Sequence, residues 1–157
     1  MNCRLTSFSG LNYKFEWSRM LSFEGDTGPY LQYAHSRLCS MERKAATMEP
    51  PVVIPSDGSI DGFNLDLLAD SSHANELVFI LAQYPDVVRL TLRSQEPSTI
   101  VTYCFKLSHV LSSAWDALWV QGQEHELAKA RMLLYRCARD VLDSALRLLG
   151  VTPLERM

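Results

Sequence analysis

Residues 97–120 read PSTIVTYCFKLSHVLSSAWDALWV, and residues 127–150 read LAKARMLLYRCARDVLDSALRLLG. In the first, Ile100, Cys104, Leu107, Leu111, Ala114 and Leu118 recur at spacings that alternate between four and three residues, which places them on one stripe of a helix. Pro97 can open that helix, because a residue in the first turn has no use for its N–H. In the second, Leu127, Ala130, Leu134, Cys137, Val141, Ala145 and Leu148 are expected to line the buried face, with Lys129, Arg136, Asp140 and Arg147 opposite. Gly150 supplies the stop and Pro153 follows.

Working towards the N-terminus, Pro85 separates a short buried helix, ANELVFILAQY, from a second one, PDVVRLTLRSQ. A further helix is expected over 27–46, capped by Asp26 or Thr27 with Pro29 in its first turn. Between it and the later helices lies TMEPPVVIPSDGSIDG, rich in Pro, Gly, Asp and Ser. The fold class is therefore all-α, a helical bundle. Residues 1–10 read as a tail, 11–26 as an irregular lead-in, and 27–157 as the bundle, with 46–72 an acidic, Pro-rich surface loop, of which 49–72 are expected to be mobile and dispensable for binding.

A chain of 157 residues with 15 basic and 18 acidic side chains makes one domain of ordinary size and leaves no room for a large two-substrate enzyme. The charge is unevenly placed. Residues 49–76 hold six acids and no base, while 77–157 hold nine bases and eight acids, so the net charge of -3 conceals near-neutral or basic helical parts. Binding of nucleic acid by bulk charge is excluded, since that needs many cations facing phosphates. Local recognition is not excluded.

No phosphate-cradling, nucleophile-elbow or zinc-protease motif occurs, and His35, His73, His109 and His125 are dispersed, so no catalytic residue is assigned. Cys3, Cys39, Cys104 and Cys137 are tens of residues apart, a pattern that suits neither zinc nor a disulfide framework and fits a reducing compartment. No apolar run approaches the ~20 residues that span a bilayer, so no membrane partner is expected. Arg4 and Lys14 without an acid in the first fifteen residues give only a faint transit-peptide flavour, and a cytoplasmic location is expected.

The first helix carries the functional signal. Leu31, Ala34, Leu38, Met41 and Ala45 form a complete core stripe, and Tyr30, Tyr33, Arg37 and Lys44 fall on a second stripe about 90° away. Aromatic planes interleaved with cations can stack unpaired bases and pair with phosphates. The two tyrosines can equally widen the buried face. Trp115 and Trp119, one helical turn apart above Ser108 and Ser112, pose the same choice between core packing and the edge of a shallow groove for a planar ligand.

Residues 25–37, GDTGPYLQYAHSR, resemble the start of the anticodon-binding domain of arginine-tRNA ligases. The resemblance continues through YPDVV (84–88), EPSTIVTY (96–103), LWVQGQ (118–123) and LAKARMLLYRCARDVL (127–142), and the ending LLGVTPLERM is similar to the eukaryotic form. Asp143-Ser144-Ala145-Leu146-Arg147 nearly spells the name of the DALR domain. Coverage runs from about Leu11 to Met157 and leaves 46–72 without a shared pattern. The resemblance implies that Tyr30, Tyr33, Arg37, Trp115, Trp119 and the terminal Met157 face the anticodon loop of an arginine-accepting tRNA. Trp115 stands where fungal relatives often carry Tyr, and Cys104 where Leu is commoner.

Such ligases also carry a catalytic domain and usually an N-terminal tRNA-contacting domain, and neither is seen in this sequence. MNCRLTSFSG does not resemble the family, which leads to the expectation that the chain starts inside a longer ancestral gene. The resemblance then implies tRNA recognition without a cofactor in this chain, ATP and Mg being needed only by the intact enzyme, whose catalytic domain would be a partner in a longer product. The alternative is a truncated helical fragment that serves as a protein-interaction module, with no RNA partner and no catalysis.

Overall fold

The computed structural model describes residues 27–55 and 58–157; the expected tail over 1–10 and lead-in over 11–26 lie outside the described residues. Among the described residues five α-helices follow one another, α1 (Gly28–Ala46), α2 (Ser72–Ala82), α3 (Tyr84–Ser94), α4 (Ser98–Ala117) and α5 (His125–Leu148), with a 3-10 turn at Leu65–Leu68. Helix α4 runs through the middle and packs against the other four, while α5 covers α1, α2 and the 3-10 turn. Among the described residues there is no strand, and the all-α expectation holds.

The local sequence explains where most helices begin and end. Thr27 occupies the N-cap of α1, buried but with no capping bond from its side chain, and Pro29 lies in the first turn. Ser71 caps α2 by accepting from the Ala74 N–H at 3.3 Å. Gln83 ends α2 and starts α3, and Gln95, in the left-handed region at φ 57°, ends α3. Gly150 adopts φ 74° beyond α5, where the Val151 N–H reaches back to the Leu146 carbonyl at 3.0 Å. Only a residue without a Cβ takes that conformation without strain.

The core collects Leu31, Ala34 and Leu38 of α1, Leu77 of α2, and Cys104, Leu107 and Leu111 of α4, all essentially inaccessible. The expected α4 stripe is buried throughout, Leu118 included. The helix itself, however, stops at Ala117. Leu118 turns to φ -106° and ψ 63°, so Trp119 stands beyond the helix and not one turn above Trp115 on it.

In α5 the expected face is displaced. Ala128, Met132, Tyr135, Ala138, Leu142 and Ala145 are buried, whereas Cys137 and Leu148 are exposed and Leu127 and Val141 only half-buried. Leu133 and Leu134 are buried as well, so the apolar arc is broad and its centre cannot be fixed by counting leucines. Helix α2 is buried on one face only, since Val78 and Phe79 are exposed. Helix α3 buries no residue completely and leans on the core through Tyr84 and Val87.

The 46–72 segment is not a free loop. Val52 and Ile54 are buried in the main core, and the Val52 N–H donates to the Ala45 carbonyl at 2.9 Å, which folds the segment back on the end of α1. Leu68 of the 3-10 turn is buried against α5. Lys129 donates to the Gly62 carbonyl at 3.1 Å and lies 5.3 Å from the ring centroid of Phe63. Val52 and Ile54 alternate with exposed Val53, a run of three residues too short for periodicity to single out.

Candidate nucleic-acid interface

Helix α1 presents two flanks on either side of its core stripe. On one lie Tyr30, Tyr33 and Arg37, facing α4. The Tyr30 hydroxyl donates to Ser112 Oγ at 3.1 Å, because Ser112 spends its own proton on the Ser108 carbonyl at 3.0 Å. Its ring sits 5.8 Å from that of His109. Tyr30 is thus half-buried and ties α1 to α4, as the packing alternative for the tyrosines allows. Tyr33, three residues on, is 50% exposed.

Arg37 is exposed and its guanidinium carbon lies 3.9 Å from the Trp115 ring centroid, a cation–π contact. Trp115 is only 8% exposed, and its indole N–H has no hydrogen-bond partner. The indole is therefore roofed by a flat guanidinium, which can itself stack on a base. Trp119 differs: it is 62% exposed, and its N–H donates to the Asp116 carbonyl at 3.2 Å.

Two residues of α5 hold the end of α4 that carries these indoles. Tyr135, fully buried, shares its hydroxyl proton between the Ala114 and Leu118 carbonyls at 3.0 and 3.2 Å. Burial pushes its phenol well above the ordinary value, so it remains a neutral donor. Arg131 donates to the Trp119 carbonyl at 2.6 Å, a cation at the negative end of a helix. Neither residue was singled out in the sequence, although an arginine interrupting the Ala128, Tyr135, Ala138, Leu142 stripe was a visible signal.

On the other flank of α1 runs the C-terminal segment. Gln32, His35 and Arg43 hold the backbone of Thr152, Leu154 and Glu155, and Met157 ends the chain 72% exposed. By helical arithmetic this flank is about 150° round α1 from the tyrosine stripe. Of the site residues that the resemblance implies, Tyr30, Arg37 and Trp115 are joined through α1 and α4, Tyr33 is exposed on the same stripe of α1, Trp119 is exposed beyond the end of α4, and Met157 stands at the exposed end of the C-terminal segment. Deeper in, Glu42 of α1 is gripped by Arg136 and Arg139 of α5, which locks the two helices together.

The profile of the DALR anticodon binding domain matches residues 31–157. The cytoplasmic arginine–tRNA ligase of Saccharomyces cerevisiae is 54% identical over 146 residues, covering 93% of this chain and 23% of that protein. The mitochondrial arginine–tRNA ligase of the same yeast is 49% identical over 93% of this chain and 22% of its own length. Among solved structures, the arginyl-tRNA synthetase of Plasmodium falciparum superposes with a TM-score of 0.74 at 25% identity, over 98% of this chain and 25% of that one. That of Thermus thermophilus gives 0.73 at 27% identity, over 91% and 23%. The chain thus spans about a quarter of the length of the relatives it matches.

Proposed function

We propose, for a chain that belongs to the DALR anticodon-binding domain family, that its task is to recognise the anticodon loop of an arginine-accepting tRNA. The observation that carries this reading is the Arg37 guanidinium stacked over Trp115, with exposed Tyr33 one turn away on the same helix and exposed Trp119 four residues beyond Trp115 in the chain. Unstacked loop bases have a π-face on each side, and an aromatic or guanidinium plane replaces the neighbour they lose on splaying out. Hydrogen-bonding groups at the edge of the Arg37 guanidinium then distinguish one base from another. Lys44, exposed at the end of α1, supplies a phosphate contact that adds affinity without reading sequence.

The choice of an arginine-accepting tRNA is supported by the identity of the relatives, arginine–tRNA ligases both cytoplasmic and mitochondrial. The 54% identity to the cytoplasmic form favours a cytoplasmic location. Joining arginine to the tRNA with ATP and Mg is, in this reading, work for a catalytic domain outside these residues, and this chain takes no cofactor of its own. Titrating purified protein with arginine-accepting tRNA and with a tRNA of another specificity, at two salt concentrations, tests the proposal. Preferential binding with a shallow salt dependence supports it, and equal binding of both tRNAs overturns it.

A further inference from the structure

The last seven residues make an unusual strap. Of residues 151–157 only Pro153 is buried, so little apolar burial holds the segment down. It is held by side chains of α1. The Gln32 amide donates to the Thr152 carbonyl at 2.9 Å and accepts from the Leu154 N–H at 2.8 Å. Those two groups belong to residues i and i+2 of an extended segment and point the same way, so one amide imitates the edge of a neighbouring β-strand. The residue between them is Pro153, which has no N–H left to satisfy.

His35, one turn along the same flank and 3% exposed, completes the clamp by donating from Nδ1 to the Leu154 carbonyl at 2.9 Å. Both polar groups of the Leu154 backbone are therefore taken by side chains of one helix. The other His35 nitrogen, Nε2, faces Asp143 Oδ1 of α5 at 3.7 Å, beyond hydrogen-bond reach. Arg43 follows with both terminal nitrogens 3.3 Å from the Glu155 carbonyl. Two residues later the chain presents Met157, apolar and exposed.

We infer that Gln32 and His35 are positioning residues, whose clamp on the Leu154 backbone sets where Met157 stands against a bound RNA. This rests on the anticodon-binding reading above and adds to it a device for holding the terminus. A long flexible terminus would lose conformational freedom on binding; a strap already clamped has lost it beforehand.

The test is made on the full chain by measuring backbone 15N relaxation and tRNA affinity together. Gln32 lies at the surface, so Gln32→Leu keeps the fold; its length is similar and its amide is gone. In the parent the Leu154 amide has the order parameter of rigid backbone, about 0.85, and in Gln32→Leu it falls below about 0.6 while the α5 amides stay unchanged. Gln32→Glu, which keeps the acceptor and loses the donor, lies between the two. His35→Asn, with an N–H at similar reach, retains more order than His35→Phe.

Loss of the clamp weakens binding of arginine-accepting tRNA about fivefold, as expected when about one backbone residue must be ordered again on binding, and removal of Met157 weakens it by a similar factor. The double variant loses no more than either single one. An ordered Leu154 amide in Gln32→Leu overturns the clamp. A released strap with unchanged affinity, or losses that simply multiply, overturns the positioning role. A parent that fails to bind the tRNA at all defeats the functional reading instead, and the relaxation data still decide whether the clamp exists.

Discussion

The Arg37 guanidinium lies 3.9 Å from the Trp115 ring centroid, so the indole that the sequence offered as a stacking surface is already covered by a cation. The consequence is a division of labour between the two tryptophans. Trp119→Ala should leave the unfolding midpoint nearly unchanged and weaken RNA binding by roughly tenfold or more, since stacking one base is worth about 1 to 3 kcal/mol. Trp115→Ala should instead destabilise the fold by about 3 kcal/mol, as removal of buried large aromatics does. Denaturant titration beside RNA titration separates them; equal effects of the two substitutions on both readouts would contradict the assignment.

The packing of Val52, Ile54 and Leu68 in the core runs against the mobility that composition leads one to expect of residues 49–72. Ile54→Ala should cost about 2 to 4 kcal/mol of stability, because a buried side chain leaves a cavity behind. Ile60→Ala, exposed in the same segment, should cost less than about 0.5 kcal/mol. A thermal melt of each variant checks this, and a neutral Ile54→Ala would show that the segment is not anchored there.

Buried thiol and phenol groups give the fold an alkaline limit. Burial raises the Cys104 thiol from 9.0 to about 12, and it raises the phenols of Tyr103 and Tyr135 in the same direction. The folded chain thus keeps protons that the unfolded chain releases. The associated stability is complete below pH about 9 and is lost as pH climbs towards 12, at about 1.4 kcal/mol per pH unit for each group. Urea midpoints measured from pH 7 to 11 should fall steeply above 9, with a shallower fall in Cys104→Ala. A midpoint that stays level through pH 11 would be the contrary result.

The 157-residue protein should show no arginine-dependent exchange between pyrophosphate and ATP, since its sequence holds no phosphate-cradling motif. Exchange that persists through further purification would place catalysis inside this chain.

What the sequence makes legible follows from the range of the interactions involved. The α4 stripe from Ile100 to Leu118 is read correctly because each member is four or three residues from the next, a local signal. The side stripe of α1 is legible for the same reason, and Tyr33 and Arg37 are indeed exposed along it. The face of α5 is misread because apolar residues occupy a wide arc and Arg131, which serves the Trp119 carbonyl, interrupts its true centre. Val52, Ile54 and Leu68 escape notice because they sit in short apolar runs, Val52-Val53-Ile54 and Leu67-Leu68, within a Pro- and Asp-rich stretch, and their burial depends on distant partners. The same holds for Gln32 and Leu154, 122 residues apart and joined by a side chain whose role no spacing rule records.

The central claim, that this helical domain reads an anticodon loop with a small stacking face, is tested most directly with short RNA hairpins. Two anticodon stem-loops with identical stems are compared, one carrying an arginine anticodon and the other with only those loop bases exchanged. Both present the same phosphates, so bulk charge cancels. The account predicts at least about tenfold tighter binding of the arginine loop, a preference that Arg37→Ala reduces. Equal affinities for the two hairpins would contradict it.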